Sequence, residues 1–156
     1  MFKKIIALGV TVIMIFSFSA CGSNYEYKEG DFSLVIKADK AEARGGDVVY
    51  VTAALKNLSG RNIRIKMSHT DYKKLNDMIL ITLFQENTYN GFLVSSKGGP
   101  RRKLTIKKGA VITRTMEFLV EESDCEAASL TVFYTGKGFK KSVAIYSESL
   151  KIIVKE

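Results

Sequence analysis

The chain has 156 residues, of which 46% are apolar, 26% charged and 10% aromatic, and its formal net charge is +8. These values suit one globular domain with a sizeable core and leave no room for a second of full size. A single Pro excludes collagen-like and Pro-rich low-complexity chains, and one His and two Cys leave few residues for the common catalytic and metal-binding sets.

Met1-Phe2-Lys3-Lys4 places two positive charges ahead of an apolar run, Ile5 to Phe18, interrupted only by Gly9, Thr11 and Ser17. Small residues follow in Ser19-Ala20-Cys21-Gly22. This order describes an export signal. Ile5 to Ala20 is 16 residues, short of the roughly 18–20 that cross a bilayer. Phe18-Ser19-Ala20-Cys21 resembles the lipobox of bacterial lipoproteins, with Phe18 where Leu is usual. The resemblance implies signal cleavage between Ala20 and Cys21 and a thioether-linked diacylglycerol on Cys21. Each buried methylene contributes about 0.8 kcal/mol and stable anchoring takes two chains, which that group supplies. The implied partner is the lipid bilayer through acylated Cys21, on the extracytoplasmic face of a bacterial cell envelope.

Removing residues 1–20 takes Lys3 and Lys4 and no acid, which leaves 136 residues at formal charge +6. A basic domain held at a bilayer is drawn to anionic headgroups. Export and the lack of aromatic–basic interleaving argue against nucleic acid. With Cys21 lipidated, Cys125 has no intramolecular partner, so the fold cannot depend on a disulfide. Cys125 stands among Glu121, Glu122, Asp124 and Glu126, whose carboxylates disfavour a thiolate. It is expected half-buried at a turn, not as a nucleophile. Residues 22–30 form a polar tether that reaches at most about 30 Å.

From Asp31 the apolar pattern has period two. It predicts strands near 31–38, 47–56, 62–68, 78–84, 91–96, 103–107, 110–120, 129–135, 142–147 and 149–155. Turn chemistry separates them at 44–47, 57–61, Asn90-Gly91, Gly98-Gly99-Pro100, Lys108-Gly109 and Gly136-Lys137-Gly138. The run Met78–Phe84 is apolar on both faces and reads as a central or covered strand. His69 to Asp77 has room for one helical turn. The predicted fold is all-β, a single antiparallel β-sandwich over 31–156, after a signal peptide at 1–20 and a lipidated Cys with its tether at 21–30.

Val49-Tyr50-Val51 through Leu55-x-Asn57-x-Ser59-Gly60-x-x-Ile63-x-Ile65 resembles the opening hairpin of bacterial immunoglobulin-like domains. Leu104-x-Ile106-x-x-Gly109, followed by a strand containing Phe118, does the same. The intracellular proteinase inhibitor-type sandwich shares both pieces. The resemblance implies an immunoglobulin-like domain and leaves the function open.

A His-assisted nucleophile needs more than His69, which is expected in a polar loop with no nucleophile elbow beside it. The acidic run 121–126 lacks the spacing of a calcium loop. Gly136-Lys137-Gly138-Phe139-Lys140-Lys141 puts Lys where a dinucleotide loop needs its third Gly. No cofactor and no metal is expected. The densest positive cluster, Arg101, Arg102 and Lys103 behind Gly98-Gly99-Pro100, is a candidate contact for phosphate headgroups or a polyanion. These features point to a membrane-anchored, non-enzymatic binding or scaffolding module, with a protein or an anionic surface polymer as partner. An alternative is a protease-inhibitor-like or adaptor module using a protruding segment, Gln85 to Arg102, on an exported enzyme. A hydrolase would require a pocket with convergent carboxylates.

Overall fold

The computed structural model describes residues 26–69, 74–85, 88–91, 98–135 and 141–156. Its strands are β1 (Phe32–Ala38), β2 (Glu42–Arg44), β3 (Val48–Asn57), β4 (Ile63–His69), β5 (Ile79–Gln85), β6 (Thr88–Gly91), β7 (Gly98–Ile106), β8 (Val111–Leu119), β9 (Cys125–Thr135), β10 (Lys141–Tyr146) and β11 (Leu150–Lys155). Two short 3-10 turns, Glu29–Asp31 and Leu75–Met78, complete the regular structure among the described residues.

β1, β3 and β8 make the smaller sheet, with β3 in the middle and both pairings antiparallel. The other eight strands make the larger sheet around β9. One edge of β9 carries β5, from Ile79↔Thr131 to Gln85↔Cys125, and then β4 at Lys66↔Tyr134. The other edge carries β10 along residues 130–135 and β11 along 125–127. β6 extends the sheet beyond β5, and β7 extends it beyond β4. β11 and β2 form the one parallel pair among the described strands.

Alternation sets what each sheet buries. β3 turns Val49, Val51, Ala53 and Leu55 inward and leaves Tyr50 exposed. The larger sheet answers with Ile63, Ile65, Ile79, Ile81, Leu83, Phe133, Ile145 and Ile152, all essentially without solvent contact. Each such side chain stabilises the fold by about 1.5–3 kcal/mol relative to exposure. The Phe32 ring meets Phe133 edge to face, with centroids 5.1 Å apart, so the two sheets close on one core as a β-sandwich.

Several local expectations are corrected. β9 begins at Cys125 instead of 129, because its first half is Cys-Glu-Ala-Ala-Ser, which shows no apolar alternation. β7 begins at Gly98, where a turn was expected, and pairs there with His69 across an irregularity in β4. His69 therefore ends a strand and does not sit in a loop. Asn90 and Gly91 pair with Leu83 and Thr82, so they lie inside the β5–β6 ladder and not at its turn. β5 lies between β9 and β6, the central place expected of it, but buries only one face, with Ile79, Ile81, Leu83 and Gln85 inward and Phe84 exposed. β2 was not anticipated, since three residues carry too little pattern. Residues 92–96 of the predicted strand 91–96 lie outside the described residues.

Candidate functional site

Ala20 and Cys21, the predicted cleavage and lipidation positions, lie outside the described residues. From Glu26 onward the segment expected as a free tether is fixed to the domain. Glu26 pairs with Lys141 at the start of β10. The Tyr27 hydroxyl donates to the Asn62 carbonyl at 3.3 Å, and Leu58 N–H donates to the Asp31 carbonyl at 2.8 Å. Lys28 N–H donates to Asp31 Oδ2 at 3.0 Å, which satisfies that buried carboxylate.

The loops at this end are tied together by one buried amide. Asn57 Nδ2 donates to the carbonyls of Arg61 at 2.8 Å and Lys107 at 3.0 Å. Its Oδ1 accepts from Ser59 N–H at 3.0 Å and Ser59 Oγ at 2.7 Å. Lys108 N–H donates to Asn62 Oδ1 at 2.8 Å. Gly60 and Gly109 take φ of 72° and 68°, a left-handed conformation that glycine adopts without strain. The chain therefore enters the sandwich through a built cluster of loops.

Arg101, Arg102 and Lys103 lie on β7, not in a loop. Lys103 is exposed and sits directly opposite Lys66 of β4, and Lys66 in turn faces Tyr134 of β9. Like charges directly opposed across strands are destabilising. This pair is thus a stretch of sheet where an anion would relieve repulsion.

Beside it the outer face of the larger sheet is apolar. Tyr146, Leu130 and Leu80 stand in one cross-strand row, and Ala144 and Val132 in the next. Ser142 and Tyr134 continue toward Lys66 and Lys103. Tyr146 is 63% exposed, Tyr134 46%, Phe84 44% and Val132 39%. Leu80 and Leu130 are half-buried between these exposed side chains.

The remaining sequence candidates are placed as follows. Cys125 is buried at the start of β9 and not at a turn, with its thiol 3.8 Å from the Ile152 carbonyl. Burial, and then the Asp124 charge, push that thiol up. Desolvation rather than the whole carboxylate run is the main cause. An open groove of about 590 Å³ runs between β1 and the β10–β11 connection, lined by Phe32, Leu34, Tyr146, Glu148 and Ser149 among others. Glu148 is its one carboxylate among the described residues. Among those residues no group of three or more His, Cys, Asp or Glu is placed to hold a metal, and no helix is long and apolar enough to cross a membrane. Of the segment 85–102, Thr88–Gly91 and Gly98–Arg102 are strand, while 86–87 and 92–97 lie outside the described residues. Gly136 to Lys140 lie outside them too, and Lys141 opens β10.

The fold defines the protein as an all-β sandwich. No protein-family model matches the chain, and no curated protein matches it. Among solved structures it is similar to Spo0M, a sporulation control protein from Bacillus subtilis. The identity is 15% and the TM-score 0.44, over 81% of this chain and 50% of that one. A β-glucosidase from Listeria innocua is similar at 12% identity and TM-score 0.38, over 79% of this chain and 16% of that one. EmGH1, a β-glucosidase from Erythrobacter marinus, gives 10% identity and TM-score 0.38, over 75% and 15%. The chain thus spans half or less of the length of each.

Proposed function

We propose that the protein is a lipid-anchored module of the bacterial cell envelope that binds a protein partner and does not catalyse a reaction. Cys21, acylated after cleavage behind Ala20, holds it at the extracytoplasmic face. The observation that carries the binding role is the apolar stretch on the outer face of the larger sheet, with Val132, Tyr134 and Tyr146 exposed and Leu80 and Leu130 half-buried between them, beside the opposed Lys66 and Lys103. The aliphatic and tyrosine rows supply contact area, and the lysines favour a partner acidic at its rim.

A photo-crosslinking residue at position 134, in the full chain in intact cells, tests this. The same residue at the exposed position 115, on the smaller sheet, is the control. An adduct with a defined protein from position 134 alone, lost when Val132 is changed to Glu, is the expected result. Adducts from both positions, or from neither, would remove the assignment of this face.

A further inference from the structure

The two ends of the sandwich carry opposite charge. At the end where the chain enters lie Lys28, Lys56, Arg61, Lys107, Lys108 and Lys141, all exposed. Glu26 and Glu29 are the exposed acids there, and Asp31 is buried. The far end carries Asp39, Glu42, Asp47, Glu121, Glu122 and Asp124 against Lys40, Arg44 and Lys155. Leu58 projects at the basic end, 51% exposed, while its backbone N–H is held by the Asp31 carbonyl. The Asn57 and Asn62 hydrogen bonds fix the loops that carry Leu58, Lys107 and Lys108.

We propose that this basic end docks on the anionic headgroups of the bilayer, with Leu58 at the contact. The inference rests on the anchor at Cys21. Glu26 follows Cys21 by five positions, which span at most about 18 Å. The acylated end therefore cannot lie far from the loops at 58–62 and 107–110. Each lysine near an anionic surface strengthens attachment about fivefold, and the acids of the far end are repelled from the same surface. The charge polarity thus stands the sandwich upright, with the outer face of the larger sheet clear of the lipid. Arg101 to Lys103 do not share this role. At about 3.4 Å per residue along β7 they stand about 10–17 Å farther from the basic end than Ile106.

The test uses the full, processed chain on vesicles of pure phosphatidylglycerol and of pure phosphatidylcholine, read by amide hydrogen exchange. Exchange at residues 57–62 and 107–110 should slow at least about fivefold on phosphatidylglycerol alone. The slowing should vanish at high salt and in the double variant Lys107→Glu, Lys108→Glu, whose unchanged β-sheet circular dichroism reports that it folds. Equal exchange on the two lipids, or slowing at 39–47 and 121–124 instead, would overturn the docking. The mass of the N-terminal peptide reports separately whether Cys21 carries diacylglycerol. An unmodified Cys21 would remove the anchor, while slower exchange of the same amides would still uphold the docking and its absence would overturn it.

Discussion

Asp47 closes the turn that leads into β3. Its Oδ2 accepts from Arg44 N–H at 3.1 Å and from Lys40 Nζ at 3.3 Å. The Arg44 backbone bond and then the Lys40 hydrogen bond hold its carboxyl below the usual carboxylate range. A depressed carboxyl contributes stability that is present above its unfolded pKa and is lost as pH falls through the folded value. In urea unfolding, the wild type should therefore exceed Asp47→Asn at neutral pH, and the gap should close as pH drops below about 4. A gap that widens toward acid would contradict this. Legibility at this scale was uneven. The Asp47 turn and Asn57-x-Ser59-Gly60 both stand out in the sequence as turn chemistry. Nothing in the sequence shows that the Asn57 amide reaches across to Lys107, because that bond joins residues fifty positions apart.

Among the elements, β9 sustains the larger sheet, and the sequence showed only its second half. Phe133 and Val132 have the pattern of a strand, but the half from Cys125 to Ser129 is small and polar, so apolar periodicity begins only near 129. The ladder with β5 is what extends it to Cys125. β3, β8 and β11 were legible almost to the residue because large apolar side chains alternate along their length. β7 was half hidden, since Gly98-Gly99-Pro100 is turn chemistry by local preference and tertiary pairing with β4 overrides it. β9 also carries two buried hydroxyls, Ser129 Oγ and Thr131 Oγ1, that have no hydrogen-bond partner among the described residues. Thr131→Val keeps the shape and removes the desolvated hydroxyl. It should raise unfolding stability by about 1 kcal/mol, read from denaturant curves. A loss of similar size would show that this hydroxyl is in fact paired.

At the scale of the molecule, the sequence shows charge as a sum and the fold shows it as a direction. Formal charge +8 says only that the protein is basic. Pairing Phe32 with Asn57, Ile63 with Ile106 and Thr135 with Lys141 gathers the basic loops at the end where the chain enters. The densest basic run in the sequence, Arg101 to Lys103, proves to be strand, and the lysines at the end where the chain enters are Lys28, Lys56, Lys107, Lys108 and Lys141. Likewise Leu80 of β5, Leu130 and Val132 of β9 and Tyr146 of β10 lie far apart in the sequence, and only the registers of the three strands bring them together on one face. The proposed attachment at Cys21 would give this geometry its purpose, because a surface for a partner is useful in the envelope only if the domain stays there. The most direct test is the intact mass of the protein recovered from membranes of its host. A chain starting at Cys21 with the added mass of a diacylglyceryl thioether is the result expected. A chain that retains residues 1–20, with a free thiol at position 21, would contradict it.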